Sequence, residues 1–288
     1  MPIVYRVQHA TRYRYDAPVS QCQSEVRLTP RMLPWQSVLD TTITTTPVSA
    51  WSDTRTDYFG NQVHTFWIHE RHDRFATVAT SLVRVEPRLT GSSDTMAWES
   101  ARDIIAAHQT TETLSAFEFV FDSPFVAAAP ELAAYARPSF SKGRPLLEAL
   151  DELSHRIFTE FTYKPASTSI DTPVLDTLRL KRGVCQDFAH VMIGALRSMG
   201  LAARYVSGYL RSGADHQGAE ASHAWVGVFV PELGWIDFDP TNDVRPNQGH
   251  VTLAWGRDYA DVTPMKGIAL GGGKQLVDVE VRVQPVTA

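Results

Sequence analysis

The chain has 288 residues, of which 43% are hydrophobic and 20% charged, and its formal net charge is −5. This length allows one large or two modest domains with a buried core. The mild acidity and the lack of a basic run exclude a typical nucleic-acid binder, and no apolar run is long enough for a membrane span. Because no signal segment opens the sequence, we expect a cytoplasmic protein with neither a nucleic-acid nor a membrane partner.

The first part of the chain has a β character. Tyr13 and Tyr15 alternate with charged residues, and a threonine-rich run follows, which is typical of strands. Gly60 and Asn61 indicate a tight hairpin, because both residue types tolerate the positive φ angles of its turn. We therefore predict that residues 1–88 form a β-sandwich-like N-terminal domain.

Residues 89–288 are predicted to form a second domain. Its first part is helical, because apolar residues recur at three- and four-residue steps along one face. These residues are Leu146, Leu147, Leu150, Leu153, Ile157, Phe158 and Phe161. The chain closes with a half-buried strand, in which valines alternate with other residues from Val277 to Val283. We assign both the helical lead-in and the C-terminal strands to this second domain.

Cys185 lies directly ahead of a predicted helix. Apolar residues from Phe188 to Met199 recur at helical spacing, and Gly200 stands where a helix often ends. Gly183 lets the chain turn sharply into this helix. A thiol at a helix N-terminus faces unpaired backbone N–H groups and the positive end of the dipole, which favour its thiolate form. Cys185 is therefore a candidate nucleophile.

The second cysteine, Cys22, lacks this setting. It has no helix start beside it and no matching histidine and aspartate downstream, so we interpret it as a packing residue. With two cysteines in the chain, one disulfide at most could form, and it would sequester Cys185. We expect both thiols to be reduced.

Two further residues lie at the ends of predicted strands. His223 begins one strand, and Asp239 ends the next. If these strands pair antiparallel, the imidazole and the carboxylate lie at one end of the sheet, to which the helix could bring Cys185. Each residue alone has a structural explanation, as a buried cysteine, a strand histidine or a turn aspartate. Their joint presence in one ordered stretch favours a catalytic triad.

Three blocks of sequence resemble a known family: residues 183–189, 222–225 and 234–242. They are similar to the motifs of the transglutaminase-like superfamily. The whole chain resembles its bacterial branch, whose members carry a β-rich domain before the core. The resemblance implies an α+β fold with a papain-like transglutaminase core, in which a helix bearing the cysteine packs on an antiparallel sheet. An N-terminal all-β domain precedes this core.

The resemblance also implies roles for individual residues. Cys185 is the nucleophile, His223 its base, and Asp239 the carboxylate that orients the imidazole. Asp237 is the rival carboxylate, because residues two apart share a strand face, but the family pattern places the acid just before Pro-Thr. The backbone N–H of Cys185 is the natural first oxyanion donor. Further candidates for the oxyanion site or the cleft are Tyr163, Gln186 and Trp225.

These roles imply hydrolysis of an amide or peptide, or acyl transfer, through a Cys185 thioester, with no metal or other cofactor. The expected partner is a peptide or protein amide substrate. The sequence leaves open whether water or an amine attacks the thioester, and it leaves the oligomeric state open. The alternative is a non-catalytic binding or scaffold protein that retains the fold. A zinc hydrolase with Cys185, His223 and Asp239 as ligands is disfavoured, because the family blocks already explain those residues.

Aromatic residues of the N-terminal domain have two possible places. They can line the wall of the cleft, or they can fill the core of their own domain, since aromatic side chains bury large apolar surfaces. The residues concerned are Tyr13, Tyr15, Trp35 and Trp67. We expect this domain to support the catalytic core, because it carries no nucleophile, base and acid set of its own.

Overall fold

The computed structural model describes residues 1–88, 96–212, 217 and 221–286. The first strands are β1 (Ile3–Val26), β2 (Gln36–Thr46), β3 (Trp51–Thr56), β4 (Gln62–Ile68) and β5 (His72–Val85). The middle of the chain forms α1 (Trp98–Ala107), α2 (Thr111–Phe117), α3 (Pro130–Ala136), α4 (Leu146–Glu160), β6 (Thr162–Tyr163), α5 (Val174–Leu180) and β7 (Arg182–Gly183). The last elements are α6 (Cys185–Ser198), β8 (Ala203–Leu210), β9 (His223–Val230), β10 (Gly234–Phe238), β11 (His250–Gly256), α7 (Tyr259–Val262), β12 (Met265–Gly271) and β13 (Gln275–Pro285).

Strand β1 is the axis of a seven-stranded antiparallel sheet in the described part of the chain. Its first half pairs with β5 and β13, and its second half pairs mainly with β4 and β12. Strand β2 extends the sheet from β5, and β3 extends it from β4. The N-terminal region is therefore all-β, as predicted, and its strands are joined through β1.

The two C-terminal strands complete this same sheet. Strand β12 pairs with the second half of β1, between Val19 and Val26, and β13 pairs with its first half, between Tyr5 and Tyr15. A cut at residue 88 would therefore separate strands that are hydrogen-bonded to each other. The division into domains 1–88 and 89–288 stays a prediction.

Helix α4 carries the predicted amphipathic stripe. Its buried apolar residues are Leu146, Leu147, Ala149, Leu150, Leu153 and Ile157, whereas Phe158 is 40% exposed. Each large apolar side chain buried in this way contributes about 1.5–3 kcal/mol to stability. In the described ranges, no helix is long and apolar enough to cross a membrane.

The second sheet has the strand order β10-β9-β8-β11 and is antiparallel throughout. Strands β8 and β9 are buried along their whole length. Helix α6 packs across both strands, and nearly all of its residues are buried. This is the expected α+β arrangement, in which the helix bearing the cysteine lies on an antiparallel sheet.

Buried polar contacts join the two sheets. The Gln36 side chain donates to the carbonyl of Thr252 and accepts from its N–H, both at 2.8 Å. His9 Nδ1 lies 2.8 Å from the hydroxyl of Tyr209 on β8. Tyr5 belongs to the same hydrophobic core as α6. The N-terminal sheet, the second sheet and helix α6 therefore pack around a shared core.

The four aromatic residues singled out in the sequence lie in three different environments. Tyr13 and Tyr15 pack with Phe75 inside the N-terminal sheet region. Trp67 is 41% exposed. Trp35 lines a cavity of about 330 Å³ together with residues of β10 and of the loop after it. It therefore lies where the N-terminal region meets the second sheet.

Candidate active site

Cys185 is the first residue of α6, and a tight turn places it there. Asp187 holds the turn, because its Oδ2 accepts from the Val184 N–H at 2.8 Å and from the Thr168 hydroxyl at 2.7 Å. Gly183 is needed, since a Cβ at this position would lie 2.5 Å from Asp187 Oδ2. The thiol thus lies at the positive end of α6, with Cys185 only 9% exposed.

His223 and Asp239 meet at one end of the second sheet. Strands β9 and β10 pair antiparallel, so the start of β9 lies beside the end of β10. Nε2 of His223 is 2.8 Å from Oδ2 of Asp239, and both residues are fully buried. The rival carboxylate, Asp237, instead accepts from Arg88 Nη1 at 2.7 Å.

The charges of the site stabilise an imidazolium. Burial alone would lower the pKa of His223, but the negative charges of Asp239 and Cys185 outweigh burial and raise this pKa to about 10. Burial would raise the pKa of Asp239, but the charge of His223 and the hydrogen bonds from His223 and His250 hold it far below its usual range. In the described ranges, His223 Nδ1 makes no conventional hydrogen bond, which leaves it available to the neighbouring Cys185 thiol.

Three further groups surround the Asp239 carboxylate. Asn242 Nδ2 donates to Oδ2 at 2.9 Å, and His250 Nε2 lies 3.2 Å from the same oxygen. The Thr241 N–H donates to Oδ1 at 3.0 Å. With His223, the carboxylate is thus in contact with four hydrogen-bond donors, which satisfy it as an ion.

The sequence alone indicates no role for Asn242 or His250. Asn242 lies in the turn that the sequence did mark after Asp239, so the signal was present. His250 carries no such signal. It comes from β11, which pairs with β8 and not with β9 or β10. The contact of His250 with Asp239 depends on the strand order of the sheet.

Tyr163 and Gln186 lie close to the start of α6. Tyr163 on β6 pairs with Gly183, two residues before Cys185. Burial, followed by the charges of Cys185 and Asp239, raises the pKa of Tyr163 to about 12. Gln186 is partly buried, and its Nε2 donates to the carbonyl of Ile170 at 3.4 Å. Tyr163 and Gln186 stay predicted candidates for the oxyanion site or the cleft.

Trp225 occupies a different kind of position. It is fully buried, so a place in an open cleft does not fit it. Its ring packs edge-to-face on His250, with centroids 5.3 Å apart. Gly208 makes room for the ring, because a Cβ there would lie 2.3 Å from an indole carbon of Trp225. Trp225 therefore packs behind the site.

One group in the described ranges has the geometry to hold a metal ion. It consists of His223, Asp239 and His250, whose ligand atoms lie within 4.8 Å of one another. This set lacks Cys185, which the zinc alternative from the sequence included. The separations of 2.8 and 3.2 Å from Asp239 Oδ2 are ordinary hydrogen-bond lengths. Hydrogen bonds therefore account for this cluster without an ion.

Cys22 has a different environment from Cys185, and both cysteines are free. Cys22 packs with Val19, Ile68 and Phe75, and its Sγ lies 3.9 Å from His72 Nε2. Burial raises the pKa of the Cys22 thiol. This environment agrees with its interpretation as a packing residue.

Comparisons with known proteins cover both halves of the chain. Residues 5–84 match the bacterial transglutaminase-like N-terminal region, and residues 133–240 match the transglutaminase-like superfamily. A protein of uncharacterised function from Mycobacterium tuberculosis is 38% identical over 296 residues, covering 98% of this chain and 92% of the relative. The chain belongs to the transglutaminase-like superfamily. The superfamily match contains Cys185, His223 and Asp239.

Two other similarities extend this result. A protein-glutamine gamma-glutamyltransferase from Pseudomonas aeruginosa is 30% identical over 164 residues, which cover 52% of this chain but 24% of that protein. The solved structure of a candidate cysteine protease from Cytophaga hutchinsonii covers 100% of this chain and is itself covered to 92%, with a TM-score of 0.80. At 20% sequence identity, this second similarity shows a common fold.

Proposed function

We propose that this transglutaminase-like protein is a cysteine-dependent amide or peptide hydrolase, or an acyl transferase, that acts through a thioester on Cys185. The observation that carries the proposal is the buried His223–Asp239 hydrogen bond of 2.8 Å, formed beside a cysteine at the start of a helix. Nucleophile, base and orienting acid come from α6, β9 and the end of β10. Such an arrangement activates a thiol for attack on a carbonyl carbon.

In the first half of the reaction, the Cys185 thiolate attacks the carbonyl carbon of an amide. A C–S bond forms, and the carbonyl oxygen becomes an oxyanion that the first N–H groups of α6 face, beginning with that of Cys185. Each such donor contributes roughly 3 kcal/mol to transition-state stabilisation. The C–N bond then breaks as His223 gives its Nδ1 proton to the leaving amine, and a thioester remains.

In the second half, His223 is neutral and accepts a proton from the attacking molecule. Water attack gives a carboxylic acid, and attack by an amine gives a new amide. In both cases the C–S bond breaks, and the thiolate and imidazolium are restored. Asp239 stabilises the imidazolium and holds its ring in one tautomer throughout.

The proposed substrate is a peptide or protein amide. The relative from Pseudomonas aeruginosa is named as a glutamyl transferase, whereas the structural neighbour is described as a protease candidate, so both outcomes are included in the proposal. A cytoplasmic location is also part of the proposal, and the free thiols of Cys22 and Cys185 are compatible with it.

The test is a comparison of products with and without a primary amine. The protein is incubated with casein, and both new peptide termini and incorporation of a fluorescent amine are measured. We expect at least one product from the wild type and none from Cys185→Ala or His223→Ala, because nucleophile and base act as a unit. Asp239→Asn should retain weak activity. Full activity of Cys185→Ala would contradict the mechanism.

The alternative is a non-catalytic binding or scaffold protein. It predicts that the wild type and Cys185→Ala behave identically toward casein and amine donors. A wild-type protein that forms no product, and whose Cys185 reacts no faster than Cys22, would favour this alternative. Slow turnover together with a reactive Cys185 would instead indicate that casein is a poor substrate.

A further inference from the structure

Asp239 is shared by two imidazoles that enter from different strands. His223 begins β9 and His250 begins β11, and both Nε2 atoms approach the same oxygen, Oδ2, at 2.8 and 3.2 Å. Both rings and the carboxylate are nearly or completely buried. A triad needs one imidazole, so the second one requires an explanation.

The two histidines differ in charge. Burial lowers the pKa of His250, which favours its neutral form, whereas for His223 the charges of Asp239 and Cys185 outweigh burial and raise the pKa. Because an ionised carboxylate can only accept, a hydrogen bond from His250 to Asp239 requires the tautomer with the proton on Nε2. His250 can thus supply a second donor without adding a second positive charge.

The packing around His250 fixes its ring. Trp225 lies edge-to-face on it at 5.3 Å, with an interplanar angle of 86°. Trp225 is itself held over Gly208, where any larger residue would collide with the indole. A fixed ring directs Nε2 at the carboxylate at little cost in side-chain entropy.

We propose that His250 is a positioning residue, which holds Asp239 ionised and oriented toward His223 by a second hydrogen bond to Oδ2. This role rests on the proposed function of the triad. Without the second donor, Oδ2 loses one of the three partners that fix its direction. The carboxylate can then turn away from His223, which weakens its support of the imidazolium. The inference concerns the acid of the triad and not the nucleophile.

The experiment follows alkylation of Cys185 by iodoacetate as a function of pH in the full-length protein. An imidazolium attracts this anionic reagent, so the rate falls at alkaline pH as His223 loses its proton. His250→Leu removes the donor, and His250→Gln keeps an amide N–H near the position of Nε2. We expect the fall to move about one pH unit or more to lower pH in His250→Leu. In His250→Gln it should stay near the wild-type position.

The outcomes separate this inference from the proposed function. If wild-type Cys185 shows no preferential reaction and no alkaline fall, the triad itself is wrong. If the wild type behaves as expected but His250→Leu keeps its profile, or moves it to higher pH, the positioning role is overturned. An equal shift in His250→Gln would also overturn it. Should His250→Leu fail to fold, His250→Asn replaces it, because its amide is too short to reach Asp239.

Discussion

Asp239 is the residue on which the candidate site depends most. Asp237 lies only two positions earlier, yet it binds Arg88, whereas Asp239 contacts four donors, one of them on His223. The family pattern of an acid before Pro-Thr was enough to prefer Asp239. His250 could not be found in the same way, because its place depends on strand order and not on local sequence.

The raised pKa of His223 gives a prediction about stability and pH. Its value is about 10 in the folded protein against an ordinary 6.5, so its ion pair with Asp239 stabilises the fold fully below about pH 6.5. This contribution is lost as pH rises through 10. Urea unfolding of the wild type should therefore show a free energy that decreases over this window. The decrease due to His223 is at most about 1.4 kcal/mol per pH unit.

The control for this prediction is a pair of histidine variants. His223→Gln should lack that component of the decrease, whereas replacement of the exposed His155 by Gln should keep it. If His223→Gln and the wild type lose stability in parallel between pH 6.5 and 10, the buried ion pair contributes nothing to the free energy of unfolding.

Among the helices and strands, helix α6 is the one that the sequence predicts most directly. Its apolar period, the glycine before it and Gly200 at φ 79° all agree with the structure. The sequence alone does not indicate the role of Asp187, because its partners Val184 and Thr168 become neighbours only when the turn has formed. The local sequence pattern thus predicts the helix but not the hydrogen bonds that hold its first turn.

The hairpin between β3 and β4 shows a similar limit. It forms where it was predicted, but positive φ occurs at Gly60 alone and not at Asn61. Asn61 is buried instead, and its side chain donates to the carbonyl of Trp255 on β11 at 2.9 Å. A residue interpreted as part of a turn thus connects the two sheets.

Asp187 should be important for both stability and reactivity. Asp187→Ala leaves the Val184 N–H and the Thr168 hydroxyl without their acceptor, which costs about 1–3 kcal/mol of unfolding free energy. Alkylation of Cys185 should slow, because the turn that places the thiol loosens. The matched control is Asp176→Ala, because the side chain of Asp176 is 47% exposed and pairs with Arg179; this variant should change stability by less than about 0.5 kcal/mol. Equal effects of both variants would argue against a special role for Asp187.

At the scale of the whole molecule, the sequence predicted a final strand but not its partner. The valine alternation identified β13, yet Val277 and Val279 remain 50% and 42% exposed, whereas Val281 and Val283 are buried. Pairing of β13 with β1 joins the two ends of the chain. Local periodicity contains no information about a partner more than 250 residues away.

This pairing predicts that the N-terminal region cannot be removed cleanly. Deleting residues 1–88 leaves β12 and β13 without β1 and exposes core residues that pack against Tyr5. Unpaired strand edges favour aggregation, so we expect an insoluble fragment. A soluble fragment with unchanged Cys185 alkylation would instead make this region an independent appendage.

Gln36→Ala tests the contact between the two sheets in the intact chain. This variant should lose about 1–3 kcal/mol of unfolding free energy, because it leaves buried groups of Thr252 unpaired.

The proposed function requires Cys185 to be an activated nucleophile. Its most direct test is alkylation of the native protein with iodoacetamide near pH 7, followed by intact-mass analysis and peptide mapping. We expect a single rapid modification on Cys185, because that thiol lies at a helix N-terminus beside His223, whereas burial raises the pKa of Cys22. Equal modification of the two cysteines, or faster modification of Cys22, would contradict it.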